Sequence, residues 1–295
     1  MPAVLVIAGI DSSGGAGLLR DIRTLTELGV DSLCAVTAVT AQTNSNVSTV
    51  HHVPPSVIGA QIAAALATHP IAAVKIGMLG TSATVEAVAE GLSILGNGVP
   101  IILDPVLVAT SGGVLLDAAG RDAMCERLFP MATLVTPNLP EAAMLLEGGA
   151  AMPVGGGAAL PLACKAVLPQ VREPAPTMKL RPSVDEADVL DQARQLLMYG
   201  ATAILIKGGH ADGEHAVDYL VTRPGPVHRF SLPRAKATHR GTGCALASAI
   251  AARMALGDTL ERACHQAKGY VHASISRAGG MEAFAAADSP HINRR

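Results

Sequence analysis

The segment Gly241-Thr242-Gly243-Cys244 sets two glycines and a thiol at the head of Ala245 to Leu256, an apolar stretch whose only polar members are Ser248 and Arg253. Such a stretch is expected as a largely buried helix. Its first-turn amides, opened by glycine, make a hole for an anion, including charge developing on a transferring phosphoryl group. Cys244 at that mouth is expected to have a lowered pKa and to act as a base, a nucleophile or a small packing group. Asp104, Asn138 and Glu141 stand just after apolar runs. Their oxygens suit Mg²⁺, which takes a few carboxylates plus water and phosphate oxygens in preference to a full protein cage. Helix capping is the competing role, above all for Glu141 after Pro140. Lys207, in Lys207-Gly208-Gly209-His210, puts a cation beside flexible backbone where a phosphate would be met, although a solvated lysine would look the same.

Gly9-Ile10-Asp11-Ser12-Ser13-Gly14-Gly15-Ala16-Gly17 is a second glycine-rich turn, between an apolar run and a helical stretch. Bare backbone there lets a small polar or anionic ligand approach amides at a helix start. The glycine spacing is not that of a dinucleotide fingerprint, and no Lys-Ser or Lys-Thr follows as in a Walker loop. In the helical stretch after it, Leu18, Ile22, Leu25 and Leu28 share one face, and Asp21 falls inside that apolar arc. Its carboxylate must find a donor, from a ligand or from the protein. Gln42 carries both donor and acceptor, which suits the edge of a heterocycle, and by itself reads as a loop residue. His51-His52, His210 with His215, and Cys264-His265 lack a full ligand set and are assigned to surface or packing.

These residues sit at the ends of short apolar runs: Val4 to Ala8, Leu33 to Val39, Ala73 to Ile76, Pro100 to Leu103, Ala132 to Val135 and Ala203 to Ile206. Between most of them lie helical patterns such as Leu18 to Leu28, Val57 to Leu66 and Val85 to Leu95. This alternation predicts an α/β fold, a mostly parallel sheet with helices on both faces, in which ligands sit beyond the carboxyl ends of the strands. A hairpin from Val217 to Val221 and Val227 to Leu232 would add antiparallel edge strands around Arg223-Pro224-Gly225-Pro226. Residues 148–182 hold five Gly, six Pro and five charged side chains, and read as a loop or insertion in an otherwise single domain spanning 1–295.

Composition narrows the partners. Of 295 residues, 49% are apolar and 16% charged, which excludes a disordered chain and fits a sheet buried on both faces. Lys plus Arg is 22 against 24 Asp plus Glu, and the net charge of -2 gives no electrostatic ground for nucleic acid or an anionic membrane. Three Tyr, three Phe and no Trp leave few platforms for stacking bases. The five cysteines form no Cys-x-x-Cys pair and are expected to be reduced. Residues 32–74 lack charged side chains but are interrupted by Gln42, Asn44, Asn46, His51-His52 and paired prolines, so a membrane span is not expected. With no export signal at Met1-Pro2-Ala3, a soluble cytoplasmic protein is the expectation.

Ala8-Gly9 through Gly17, Lys75 through Leu79, Leu103-Asp104-Pro105-Val106, Thr136 through Ala142, Lys207 through His210 and Gly241 through Cys244 occur in this order along the chain. With them the sequence resembles the hydroxymethylpyrimidine and phosphomethylpyrimidine kinases of thiamine biosynthesis, members of the ribokinase-like fold, over about residues 4–277. The resemblance implies ATP and Mg²⁺ as cofactors, and two successive phosphorylations of 4-amino-5-hydroxymethyl-2-methylpyrimidine to the diphosphate. It implies that the Gly9 backbone, Asp21 and Gln42 bind the aminopyrimidine between Met78 and Val106, and that Cys244 is the catalytic group, as a thiolate that accepts or orients the hydroxyl proton. Gly241, Thr242 and Gly243 would supply the anion hole; Lys207, Gly208, Asn138 and Thr242 would hold ATP; Asp104 and Glu141, with Asn138, would organise Mg²⁺. It also suggests a homodimer. Three positions depart from the family pattern: Thr43-Asn44 stands in place of Asn-Thr, Thr110 in place of Lys, and Arg240 in place of His. Loss of a cation at Thr110 would loosen the grip on a monophosphate, while Arg240 would supply one from another side, so both steps are expected to survive. The competing readings are a pyridoxal kinase of the same fold, a cysteine hydrolase or acyltransferase using Cys244 with His239, and a ligand-binding pseudokinase.

Overall fold

The computed structural model describes residues 1–43, 46–96, 98–109, 112–148, 185–210, 213–235 and 240–287. The segment expected as an insertion at 148–182 therefore falls, after residue 148, outside the described residues, as do Asn44, Thr110, His239 and the tail from 288.

Among the described residues, nine strands form one sheet: β1 (Ala3–Asp11), β2 (Asp31–Gln42), β3 (Val47–His52), β4 (Ile71–Ile76), β5 (Ile101–Leu103), β6 (Leu134–Val135), β7 (Ala203–Ile206), β8 (His215–Thr222) and β9 (Val227–Pro233). Their order is β3-β2-β1-β4-β5-β6-β7-β8-β9. From β2 through β7 neighbours run parallel; β3 joins β2, β8 joins β7 and β9 joins β8, each antiparallel. Between the strands lie α1 (Gly17–Glu27), α2 (Pro55–Thr68), α3 (Ser82–Leu92), α4 (Ala118–Ala123), α5 (Leu139–Gly148) and α6 (Glu186–Leu197), and α7 (Thr242–Ala255) and α8 (Leu260–Ala287) follow β9.

Both faces of the sheet are apolar for the same reason that β1 reads as a continuous hydrophobic run. Leu5 and Ile7 face a core shared with Ile58, Ile62, Val85, Val88 and Leu196 from α2, α3 and α6. Val4, Val6 and Ala8 face a second core with Leu18, Leu25, Leu246, Ile250 and Ala263 from α1, α7 and α8. Alternate side chains of one strand thus feed opposite layers, and helices must cover each. Residues 245–252 of α7 are all buried, as its apolar sequence required.

The chain leaves β1 for β2 on one side and later returns to place β4 on the other. Strand order reverses at β1/β4, and at such a point the loops beyond the carboxyl ends diverge and open a crevice. The glycine-rich turn follows β1 and Gly77-Met78 follows β4, so both border it. β3 was not anticipated. Its residues are mostly exposed, and Val47-Ser48-Thr49-Val50-His51-His52 carries no apolar face for a pattern to reveal. β2 extends to Gln42, which is the last strand residue and not a loop residue. Among the described residues, no helix is long and apolar enough to cross a membrane.

Candidate active site

Asp104, at the end of β5, and Lys207, at the end of β7, meet at 2.8 Å between Oδ1 and Nζ. Thr136 Oγ1 donates to the same Asp104 oxygen at 3.2 Å, and Glu141 Oε2 lies 3.8 Å from the Lys207 ammonium. Glu141 is held by a reciprocal cap: Asn138 N donates to Glu141 Oε2 and Glu141 N to Asn138 Oδ1, each at 2.8 Å. The capping role and the site role therefore coexist in one side chain. Burial works against the Asp104 carboxylate, but Lys207 and Lys75 outweigh it and hold it below its ordinary acid range. Burial dominates at Glu141 and pushes its carboxyl up, against the pull of Lys207.

The start of α7 closes on this cluster. A Cβ at Gly243 would come within 3.1 Å of Lys207 Nζ and 3.9 Å of Asp104 Oδ2, so the ammonium lies against the first helical turn. Gly241 is left-handed at φ 71, and a Cβ there would run into the Gly15 carbonyl. Glycine is needed on both counts. The first i to i−4 bond of α7 runs from Ala245 N to Gly241 O at 2.9 Å, so the amides before it precede the helical ladder.

Cys244 follows directly. The expected lowering of its thiol is overturned: burial pushes it up to about 11, with Asp21 and Asp104 acting in the same direction and Lys75 and the Gly17 amide opposing. The helix start and nearby cations do not recover what burial costs a thiolate. At neutral pH the ligand-free cleft holds a thiol.

Beneath Cys244 lies a buried ion pair. Lys75 Nζ on β4 meets Asp21 Oδ2 on α1 at 2.8 Å, both side chains fully inaccessible. Ser248 Oγ, one turn after Cys244, donates to Asp21 Oδ1 at 2.9 Å. Burial opposes the Lys75 charge, but Asp21, Cys244 and Asp104 hold the ammonium above its ordinary range. The donor that Asp21 had to find comes from the protein, and both of its oxygens are engaged. Asp21 has no exposed surface, and the protein itself occupies both of its oxygens.

The remaining predicted ligands follow the ends of several strands. Gly9 and Met78 are adjacent, a Cβ at Gly9 falling 3.0 Å from the Met78 sulfur. Thr37 Oγ1 donates to the Met78 carbonyl at 2.6 Å and fixes that turn. Gln42 Oε1 accepts from Thr40 Oγ1 at 3.3 Å, and the Gln42 backbone N–H donates to Ser12 Oγ at 2.8 Å. Val106 is half-buried in the turn after Asp104. Gly208 is pinned by its amide to Asp218 Oδ1 at 2.9 Å, and Asp218 pairs with Lys268 at 2.7 Å. In the glycine-rich turn, Asp11 takes the amides of Ser13 at 2.9 Å and Ala16 at 3.0 Å, so these donors serve the loop itself. Lys75, Asp11 and Ser248 had no role in the sequence reading. The signal was there: Lys75 is a single cation in an otherwise apolar strand. A groove between α2 and α3, lined by Pro55, Gly59, Glu86 and Glu90, contains none of these groups.

Comparisons with known proteins agree with one another. The family model described as phosphomethylpyrimidine kinase matches residues 11–153 and 158–286. A hydroxymethylpyrimidine/phosphomethylpyrimidine kinase from Rhizobium meliloti is 37% identical over 281 residues, covering 94% of this chain and 92% of the relative. The crystal structure of phosphomethylpyrimidine kinase from Clostridium difficile superposes with a TM-score of 0.72 at 29% identity, covering 93% of this chain and all of that one. Pyridoxal kinase from Staphylococcus aureus in complex with ADP gives 0.75 at 29% identity, covering 94% and 88%. The ribokinase-like α/β architecture is common to these kinases.

Proposed function

The chain belongs to the phosphomethylpyrimidine kinase family, and from that premise we propose that it uses ATP to phosphorylate 4-amino-5-hydroxymethyl-2-methylpyrimidine and then its monophosphate, yielding the diphosphate used for thiamine. One observation carries the reading: Lys207 and Asp104 lie against Gly243, the residue before Cys244. A cation for phosphates, a carboxylate and a helix start are thereby gathered beside the group assigned to the acceptor hydroxyl.

In this reading the ring lies between Met78 and Val106 over the Gly9 backbone, with the Gln42 amide at its polar edge and Asp21 acting from below through Lys75. Lys207, Gly208, Asn138 and Thr242 lie along the ATP phosphates, and Gly241, Thr242 and Gly243 shape the hole for the transferring group. The residues fit Mg²⁺: Asp104 takes Lys207 and Thr136 on Oδ1, and Glu141 takes Asn138 and Lys207 on Oε2, so each presents its other oxygen. Among the described residues no three His, Cys, Asp or Glu form a cage, so the ion would be held by Asp104 and Glu141 together with phosphate oxygens and water. When bound, Mg²⁺ supplies neutralisation of phosphate charge. Cys244, protonated before substrate arrives, orients the hydroxyl, and catalysis is chiefly positioning and charge compensation.

Pyridoxal phosphorylation is the second reading, motivated by the pyridoxal kinases among the structural neighbours. An acyl-transfer role for Cys244 is disfavoured by its protonated thiol and by a cation and carboxylate cluster that such chemistry does not need. The same premise takes the protein as a single-domain cytoplasmic homodimer, and sedimentation equilibrium tests the dimer. ADP release with the pyrimidine alcohol, its monophosphate and pyridoxal separates the acceptors. In the Cys244→Ala variant kcat is expected to fall roughly 100-fold, as for loss of a group that positions the acceptor hydroxyl, with pyrimidine affinity kept. Unchanged turnover would remove Cys244 from the mechanism.

A further inference from the structure

Arg240 stands immediately before Gly241, and its guanidinium is engaged by the protein itself. Nη2 contacts Asp11 Oδ2 at 3.2 Å, and Nη1 donates to the Thr43 carbonyl at 2.8 Å and to Ser13 Oγ at 3.3 Å. The Arg240 side chain is 16% exposed and that of Asp11 4%. On the backbone side, Arg20 Nη2 donates to the Arg240 carbonyl and Arg20 Nε to the Gly15 carbonyl, both at 3.4 Å. Three segments far apart in sequence meet on one planar fork: the turn after β1, the end of β2 and the start of α7.

These are the segments that carry the ring side and the phosphate side of the cleft. Asp11 fixes the turn through the amides of Ser13 and Ala16, and Arg240 supplies the charge that balances this buried carboxylate. Thr43 follows Gln42, whose backbone N–H donates to Ser12 Oγ in the same turn. A guanidinium reaches carboxylate and carbonyl together because its donors diverge in one plane, which a lysine ammonium does not reproduce.

We propose that Arg240 is a positioning residue, a strut that sets the loop 12–16 and Gln42 against the phosphate hole of α7, and is not a ligand of the substrate phosphate. This corrects the expectation that Arg240 offers a cation to the monophosphate, since its charge is committed to Asp11. The kinetic consequence rests on the kinase reading. A strut affects both phosphorylation steps alike, whereas a phosphate ligand affects only the second.

The test uses the full-length chain and the Arg240→Gln and Arg240→Lys variants. Steady-state rates with Mg-ATP are measured on the alcohol and on the monophosphate, and amide hydrogen exchange is followed without ligand. Arg240→Gln is expected to lower kcat/KM by roughly 10- to 100-fold, by the same factor on both acceptors, as loss of a charged hydrogen bond and slight misplacement would. Arg240→Lys loses less. Residues 12–16 and 40–43 exchange faster in Arg240→Gln while β4 and β5 keep their protection. A loss confined to the monophosphate, or exchange unchanged in both segments, overturns the proposal. If Arg240→Gln loosens the core strands as well, Arg240→Lys decides: unequal factors on the two acceptors overturn the strut and equal factors support it. If the wild type phosphorylates neither acceptor, the kinase reading fails and the exchange comparison alone decides Arg240.

Discussion

Cys244 shows how one residue can sit at a helix start, close to two lysines, and still be protonated. Burial raises its thiol to about 11 from an ordinary value of 9.0. Alkylation of Cys244 by iodoacetamide, followed by mass spectrometry in ligand-free protein, is therefore expected to accelerate with pH well beyond 9. A rate that levels off below pH 8 would restore the thiolate. The linkage has a definite sign. The folded chain holds this proton more tightly than the unfolded chain, so the stabilisation is full below about pH 9 and lost as pH rises through about 11. Unfolding by urea at pH 8 and pH 10.5 should show a larger drop for wild type than for Cys244→Ala; equal drops would mean that the thiol is not shifted.

The ion pair of Lys75 and Asp21, completed by Ser248, joins β4, α1 and α7, the elements that carry the Met78 turn, the glycine-rich turn and Cys244. Lys75→Met leaves a carboxylate buried without its cation and is expected to cost roughly 3–5 kcal/mol, and the double variant with Asp21→Leu should recover most of it. Urea denaturation of the wild type, Lys75→Met, Asp21→Leu and the double variant measures this, and a double variant no better than Lys75→Met would show that the pair is not a closed unit. Where α7 begins, the constraint is steric. Gly241→Ala places a methyl against the Gly15 carbonyl at a left-handed position, so the helix start and the glycine-rich turn must move apart. Activity is expected to fall roughly 100-fold, the scale of about 1 Å of misplacement, and the melting temperature to drop with it. A fully active Gly241→Ala would show that this contact does not set the site.

At the scale of the molecule, the parallel sheet brings the ends of β1, β4, β5 and β7 to one edge, and ligands at that edge stabilise the whole fold by mass action. Mg-ATP at about 100 times its dissociation constant should add about 2.7 kcal/mol to unfolding stability. Asp104→Asn should reduce that increment in calorimetry, and an undiminished increment would remove Asp104 from the nucleotide side. Much of this architecture was legible in the sequence, because apolar runs such as Val4 to Ala8 and Ala203 to Ile206 are short-range patterns that a doubly covered strand imposes. The gathering of Asp104, Asn138, Glu141 and Lys207 followed from strand ends for the same reason. β3 was missed because an exposed edge strand needs no apolar period. The charge state of Cys244, the commitment of Arg240 to Asp11 and the seating of Asp21 on Lys75 were decided by tertiary structure alone. Each depends on which partner, up to 229 residues away along the chain, comes within a few ångströms in a water-poor interior, and no local pattern encodes that distance.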